Sequence, residues 1–262
     1  MHIIAYFFFF SIYYNMNRLL LSFIITFLAG ISTLIGMIPT FIHSDYENKI
    51  IQLSLSFSSG VMLSISIFSL ILESFSYLHY SYFLNVILLL IFLNIGVIFF
   101  IIIEKVSSRF TNNDDLYKLG ILSSFSLILH NIPEGILSFI TMSTDLRLGF
   151  TLCLAIALHN IPEGISIAVP IYYSTRSHKL SFYYTFISGF SELFGGVIAY
   201  LFLYKIMNFF FFSFLLGITA GIMIYLSIKE LFPKSLNYGN KNISIFGFLF
   251  GFILMSLFQF IL

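Results

Sequence analysis

The chain has 262 residues, 59% of them hydrophobic and 9% charged, with a net charge of +1 and a mean hydropathy of +1.02. A soluble domain carries about 25% charged residues, so this composition excludes a soluble globular domain and specifies an integral membrane protein. The near-zero net charge implies no acidic or basic partner, nucleic acid included, and a lone Cys153 excludes an intrachain disulfide.

Residues 1–17 contain "IIAYFFFFSIYY", from Ile3 to Tyr14, which is too short to cross a bilayer, and the basic Arg18 follows it rather than precedes it. Two readings stand: an N-terminal extension resting in the membrane interface, or a signal segment with a weak basic start. Residues 18–262 then form one helical membrane domain. A spanning helix needs roughly 20 apolar residues, and eight stretches qualify: 19–42, 50–72, 83–103, 119–142, 148–171, 181–204, 209–232 and 243–262. The connections leave no room for a soluble domain. The expected fold is an all-α, eight-helix, multi-pass membrane protein, with the plasma membrane as its location. With 16 Tyr and no Trp, the interfacial aromatic belts fall to Tyr.

In the second span, the serines of "LSLSFSSGVMLS" either line a polar path or bond back to their own helix. Gly217 and Gly221 in "GITAGIM", and Gly247 and Gly251 in "GFLFG", have the small-xxx-small spacing of close helix packing. Cys153 is expected to pack. His43, His79 and His178 fall at helix ends.

Lysine and arginine give the orientation. The loops after spans 1, 3, 5 and 7 hold Lys49, Lys105, Arg109, Lys118, Arg176, Lys179, Lys229, Lys234 and Lys241, which is nine. The terminal side holds Arg18, Arg147 and Lys205, which is three. The positive-inside rule therefore predicts both termini outside the cytoplasm.

Two close copies interrupt spans 4 and 5: "ILHNIPEGIL" from Ile128 and "ALHNIPEGIS" from Ala157. Polar side chains at mid-membrane cost about 2.5–3.5 kcal/mol each on the insertion scale and are usually functional. The span midpoints fall at His130-Asn131 and His159-Asn160, so the two motifs share one depth on antiparallel neighbours. His130 and Glu134 are i, i+4 and Asn131 and Glu134 are i, i+3, so one carboxylate can bridge a His and an Asn. His159, Asn160 and Glu163 repeat this. Pro133 and Pro162 withdraw a backbone donor one turn before each Glu, which suits helices opened at a transport site. Glu192, in "GFSELFGG", lies at the midpoint of span 6. Three carboxylates at one level would repel unless cations neutralise them. Imidazole, carboxylate and amide oxygen without thiolate suit Zn²⁺, Fe²⁺, Mn²⁺ or Co²⁺ and disfavour Cu⁺. The bland alternatives are a proline kink and helix–helix glue, and two matching motifs plus Glu192 go beyond both.

"HNIPEG" in the fourth and fifth of eight spans resembles the Zrt/Irt-like (ZIP) metal transporters, in their broad-specificity bacterial-type branch. "SGFSELFGGVIAY" and "AGIMIYLSIKELFP" resemble that branch's sixth and seventh helices. The resemblance implies a divalent-cation importer with external termini and a two-metal site at His130, Asn131, Glu134, His159, Asn160, Glu163 and Glu192. It also implies acidic pathway positions at Glu73, near the outer end of helix 2, and Glu230, near the inner end of helix 7. The expected partners are divalent cations and the lipid bilayer, with homodimerisation left open. Zn²⁺, Fe²⁺ or Mn²⁺ would be the substrate, and no cofactor is required. The chain departs from many family members in lacking a His-rich loop between helices 3 and 4. The alternative is a membrane-embedded zinc-dependent hydrolase. It is disfavoured because no HExxH occurs and because a symmetric doubled motif suits a conduit better than a reaction centre.

Overall fold

The computed structural model describes residues 2–42, 46–107, 114–206 and 209–261; side chains are described from residue 17 on, except 203–206. His43, Arg109, Leu262 and the side chain of Lys205, all used in the sequence reading, lie outside that set. The described residues form helices and no strand, with eight helices long and apolar enough to cross a membrane.

The first, α1, runs as an α-helix over His2–Ile31 and tightens to a 3-10 helix over Ser32–Phe41. The backbone of the N-terminal segment is thus continuous with the first span. Next come α2 (Glu47–Ser76), α3 (Tyr82–Ser107), α4 (Asp115–Thr144), α5 (Leu146–Thr175), α6 (His178–Ile206), α7 (Phe209–Tyr238) and α8 (Lys241–Ile261). Helices dominate because hydrocarbon offers no partner for an unpaired backbone group. Asp114 caps α4 by accepting from the backbone N–H groups of Leu116 and Tyr117. Asp145 alone separates α4 from α5: its N–H donates to Thr141 O and its carboxylate accepts from Arg147 and Leu148 N–H. One residue that ends one helix and caps the next fixes the two as an antiparallel hairpin. Pro133 and Pro162 lie inside unbroken helices, so each removes one backbone bond without opening its helix, contrary to the expected discontinuity.

Two groups of helices interlock. α1, α4, α5 and α6 pack together, α2 packs on α8 and α3 on α7, and contacts of α2 with α5 and of α4 with α7 join the groups. α3 and α8 lie outermost, with 17% and 22% of their apolar windows buried against 61% for α4 and α5. The small-residue spacings pack as expected. A Cβ on Gly221 or Gly96 would overlap the facing backbone between α7 and α3, and one on Gly251 or Gly60 would do so between α8 and α2. Serines of α2 do something neither reading anticipated. Ser58 donates to Pro162 O, Ser59 and Ser227 bond reciprocally, and Ser64 meets Ser256, while Ser56 bonds back to Leu53 O. They are cross-ties more than a path. Cys153 is a buried free thiol beside Ala29 and Ile156.

An internal repeat underlies this packing. Gly60, Met62, Ser66, Ile67, Leu70 and Ser74 of α2 recur at constant offset as Gly221, Met223, Ser227, Ile228, Leu231 and Ser235 of α7. The recurring segments each include a π-helical stretch, Ser66–Leu70 and Leu226–Leu231. Gly60 faces Phe248 O and Gly251 faces Phe57 O between α2 and α8; Gly221 faces Leu93 O and Gly96 faces Ile218 O between α7 and α3. The spacing is the same in both pairs. Ser59 meets Ser227 while Ser74 meets Ser213, so α2 and α7 run antiparallel. The relation is therefore an inverted repeat, the arrangement in which membrane transporters place sites at the repeat interface.

Where α4 crosses α6, a Cβ on Gly135 would overlap the backbone carbonyl of Glu192, whereas one on Gly196 would meet only side-chain atoms of Phe139 and Thr26, at 3.5 Å or more. Gly135→Ala is expected to push the helices apart, at roughly 1–3 kcal/mol. Gly196→Ala is expected to leave folding near wild type. Thermal unfolding of the two variants checks this.

Candidate metal centre

The crossing of α4 and α5 brings the two motifs face to face. His159 Nε2 lies 3.1 Å from Glu134 Oε1, and His130 Nε2 lies 3.2 Å from Glu163 Oε1, so each motif reaches across to the other. His130 Nε2 is also 3.2 Å from Glu134 Oε1. Ligand atoms of His130, Glu134 and His159 all fall within 4.8 Å of one another. Two ligands about 2.0–2.1 Å from a tetrahedral zinc are roughly 3.3–3.4 Å apart, so these gaps match a metal-ligand set within a few tenths of an ångström.

The asparagines complete the pattern. Asn131 Nδ2 donates to Ser188 O (2.8 Å) on α6, and Asn160 Nδ2 donates to Ala29 O (3.0 Å) on α1 and to Glu192 Oε2 (2.9 Å). An amide facing a carbonyl must present its NH₂, which turns each Oδ1 the other way. The result is a buried set of acceptors: Asn131 Oδ1, Asn160 Oδ1, Glu163 Oε2 and Glu192 Oε1 make no hydrogen bond, while Glu163 Oε1 faces the His130 imidazole. His130, Asn131, Asn160, Glu163 and Glu192 have no exposed surface, and Glu134 and His159 very little. Buried polar atoms are normally paired; a pocket of unpaired acceptors is what a cation satisfies. His130, Glu134, His159 and Glu163 are thus in direct contact, Asn160 and Glu192 bond each other, and Asn131 bonds Ser188 on α6. Glu163 and Glu192 lie outside the 4.8 Å trio, Glu163 joined to it through His130 and Glu192 reached through Asn160.

A cavity of about 480 Å³ leads to this centre. It runs from Thr141 and Leu148, beside the α4–α5 turn, down to Glu134 and His159, with Ser69, Glu73 and Gln259 on its walls. Ser69 Oγ donates to Glu73 Oε1 at 3.2 Å. Glu73 therefore shares the centre's cavity. Glu230 does not: it lies in the π-helical stretch of α7, among Glu104, Lys118, Lys234 and Asp115. His178 stacks on Phe41 and Tyr172, and His79 packs edge-on against Phe209, so neither joins the centre.

Sequence reasoning missed Gln259, whose signal was a lone amide in the apolar run "LFQFI". It also missed the backbone carbonyls of Ala29 and Ser188, which carry no side-chain signal. Gly30 and Gly189 let α1 and α6 approach here, since a Cβ on either would overlap the other's carbonyl.

Residues 114–259 match the family model described as ZIP zinc transporter. A protein named zinc transporter ZupT in Oceanobacillus iheyensis is 32% identical, over 92% of this chain and 97% of that one. The likeness to the zinc transporters ZupT of Clostridium perfringens (32%, 92% and 96%) and Chlorobium phaeovibrioides (34%, 92% and 98%) is of the same order. These relatives are named as transporters, which sets aside the hydrolase alternative. With the family model covering more than half of the chain and full-length relatives above 30% identity, the chain belongs to the ZIP family of metal transporters, in its bacterial ZupT-like branch.

Proposed function

We propose that this protein imports divalent transition-metal ions, zinc foremost and iron and manganese with it, through a two-ion centre between α4, α5 and α6. His130, Glu134 and His159 would hold one ion. Asn131, Asn160, Glu163 and Glu192 would hold the other, with Glu134 and Glu163 close enough to serve both. Glu73 would receive the ion in the cavity, and Glu230 would receive it on the far side. The observation that supports the reading most is the buried group of His130, Glu134, His159 and Glu163, two of whose members, Glu134 and His159, line a cavity. Nitrogen and oxygen donors without thiolate accept zinc, iron and manganese alike, which supports broad selectivity.

Uptake of radioactive zinc by the purified protein in liposomes tests this. Excess Fe²⁺ or Mn²⁺ is expected to suppress zinc uptake several-fold, and excess Ca²⁺ to leave it nearly unchanged, because calcium takes 6–8 oxygen ligands. Absence of zinc uptake would sink the whole reading, and absence of competition by iron and manganese would confine it to zinc.

A further inference from the structure

We propose that the ion pairs Lys118–Glu104 and Lys234–Asp115 form a latch that holds shut the half of the transport path opposite the cavity. The inference rests on the transport reading above and adds to it the groups that decide which face is open.

The inverted repeat supplies the argument. On the open side, Ser69, Glu73 and Gln259 line the cavity. Carrying α2 onto α7 at the offset of the shared glycines turns Ser69 and Glu73 into Glu230 and Lys234. Carrying α8 onto α3 in the same way turns Gln259 into Glu104. Glu104 and Lys234 are each ion-paired, and Glu230 lies near both. Lys118 Nζ lies 3.4 Å from Glu104 Oε1, Tyr225 OH donates to Glu104 Oε2 at 3.3 Å, and Lys234 Nζ lies 2.5 Å from Asp115 Oδ2. The two ion pairs tie α4, which carries half of the metal centre, to α3 and α7, and the Tyr225 contact joins α7 to α3.

The layer beneath repeats the contrast. Leu148, Thr151, Ile156, Leu216 and Met255 line the cavity. Their counterparts, with the paired motifs relating α5 to α4, are Leu119, Leu122, Leu127, Leu55 and Phe100. All five have no exposed surface and pack in one core cluster. Ile156, Leu216 and Met255 are themselves buried, so the contrast lies in the space beside them: equivalent positions border a cavity on one side and pack together without one beneath the ion pairs on the other. Partly exposed pairs contribute little to folding as a whole. Two of them spanning three helices can still shift a balance between two conformers by roughly tenfold.

Thiol labelling of the full chain in liposomes, without metal and in a Cys153→Ser background, tests the latch. Thr151→Cys reports on the cavity. Ser123→Cys reports on the closed half: Ser123 is fully buried, its hydroxyl makes no hydrogen bond, it lies two turns before His130, and it is the counterpart of cavity-lining Leu152. With the latch intact, a membrane-impermeant maleimide should modify Thr151→Cys from one face and Ser123→Cys only slowly. Adding K118M and K234M should raise Ser123→Cys labelling from the opposite face about tenfold and slow Thr151→Cys labelling. An unchanged Ser123→Cys rate in a correctly inserted double variant overturns the latch. If that variant does not insert, Lys118→Gln alone breaks one pair and should raise the rate about threefold; no change there overturns the proposal equally. Because labelling needs no metal, a failed latch is distinguishable from a failed metal centre, which would show as absent zinc uptake by the wild type.

Discussion

Glu134→Ala and Glu163→Ala should each reduce metal uptake to background, on the order of 100-fold or more, a loss at least as large as that from removing a metal site's supporting partners. Glu134 lies within 3.2 Å of both imidazoles and Glu163 within 3.2 Å of one, so no neighbouring carboxylate can take over either position. Removing one also leaves a fully buried His130 with half of its acidic surroundings, and such a group at mid-membrane is costly without a partner. Replacement by Gln keeps the size and one oxygen but removes the charge; uptake should stay at background if charge neutralisation of the ion is what the site supplies. The measurement is initial uptake at matched surface expression. Wild-type rates in either variant would mean that the bridging role is wrong, even with the geometry intact.

Much of this architecture was legible in the chain because a membrane permits so few alternatives. Eight apolar stretches had to be eight helices, and the doubled HNIPEG motif had to lie at one depth because its two copies fall at the midpoints of adjacent spans. The helix limits were less legible. α2 and α7 extend past their apolar windows to Ser76 and Tyr238, where polar ends lie beyond the hydrocarbon and hydropathy stops reporting. The π-helical stretches at Ser66–Leu70 and Leu226–Leu231 lie where α2 and α7 touch, and hydropathy carries no signal for them. The inverted repeat is faint for a related reason. Its shared glycines and serines face other helices, where backbone approach constrains them, while Phe68 against Lys229 and Glu73 against Lys234 diverge where the two ends meet different surroundings. The prolines misled in the opposite direction. A missing N–H suggested an opened helix, yet packing on both sides keeps α4 and α5 helical through Pro133 and Pro162.

An epitope tag fused to Leu262 should be detected on intact, unpermeabilised cells that carry the protein at their surface. The nine-to-three division of Lys and Arg predicts this, since cytoplasmic loops hold the excess of positive charge. The cavity gives the prediction a functional edge. It opens beside the α4–α5 turn and is walled by Gln259 near the end of α8, so it faces the side on which the chain terminates. The closed side is the lysine-rich one, where Lys118, Lys234 and Arg176 engage Glu104, Asp115 and Glu47. A tag outside therefore means a cavity outside, with Glu73 meeting extracellular metal and the latch on the cytosolic face, as import requires. The same cells labelled at Thr151→Cys with an impermeant maleimide should react from the tagged face. If the tag appears only after permeabilisation, the cavity opens to the cytosol and this conformation is the one that receives metal from inside. Import would then have to be argued from the opposite state.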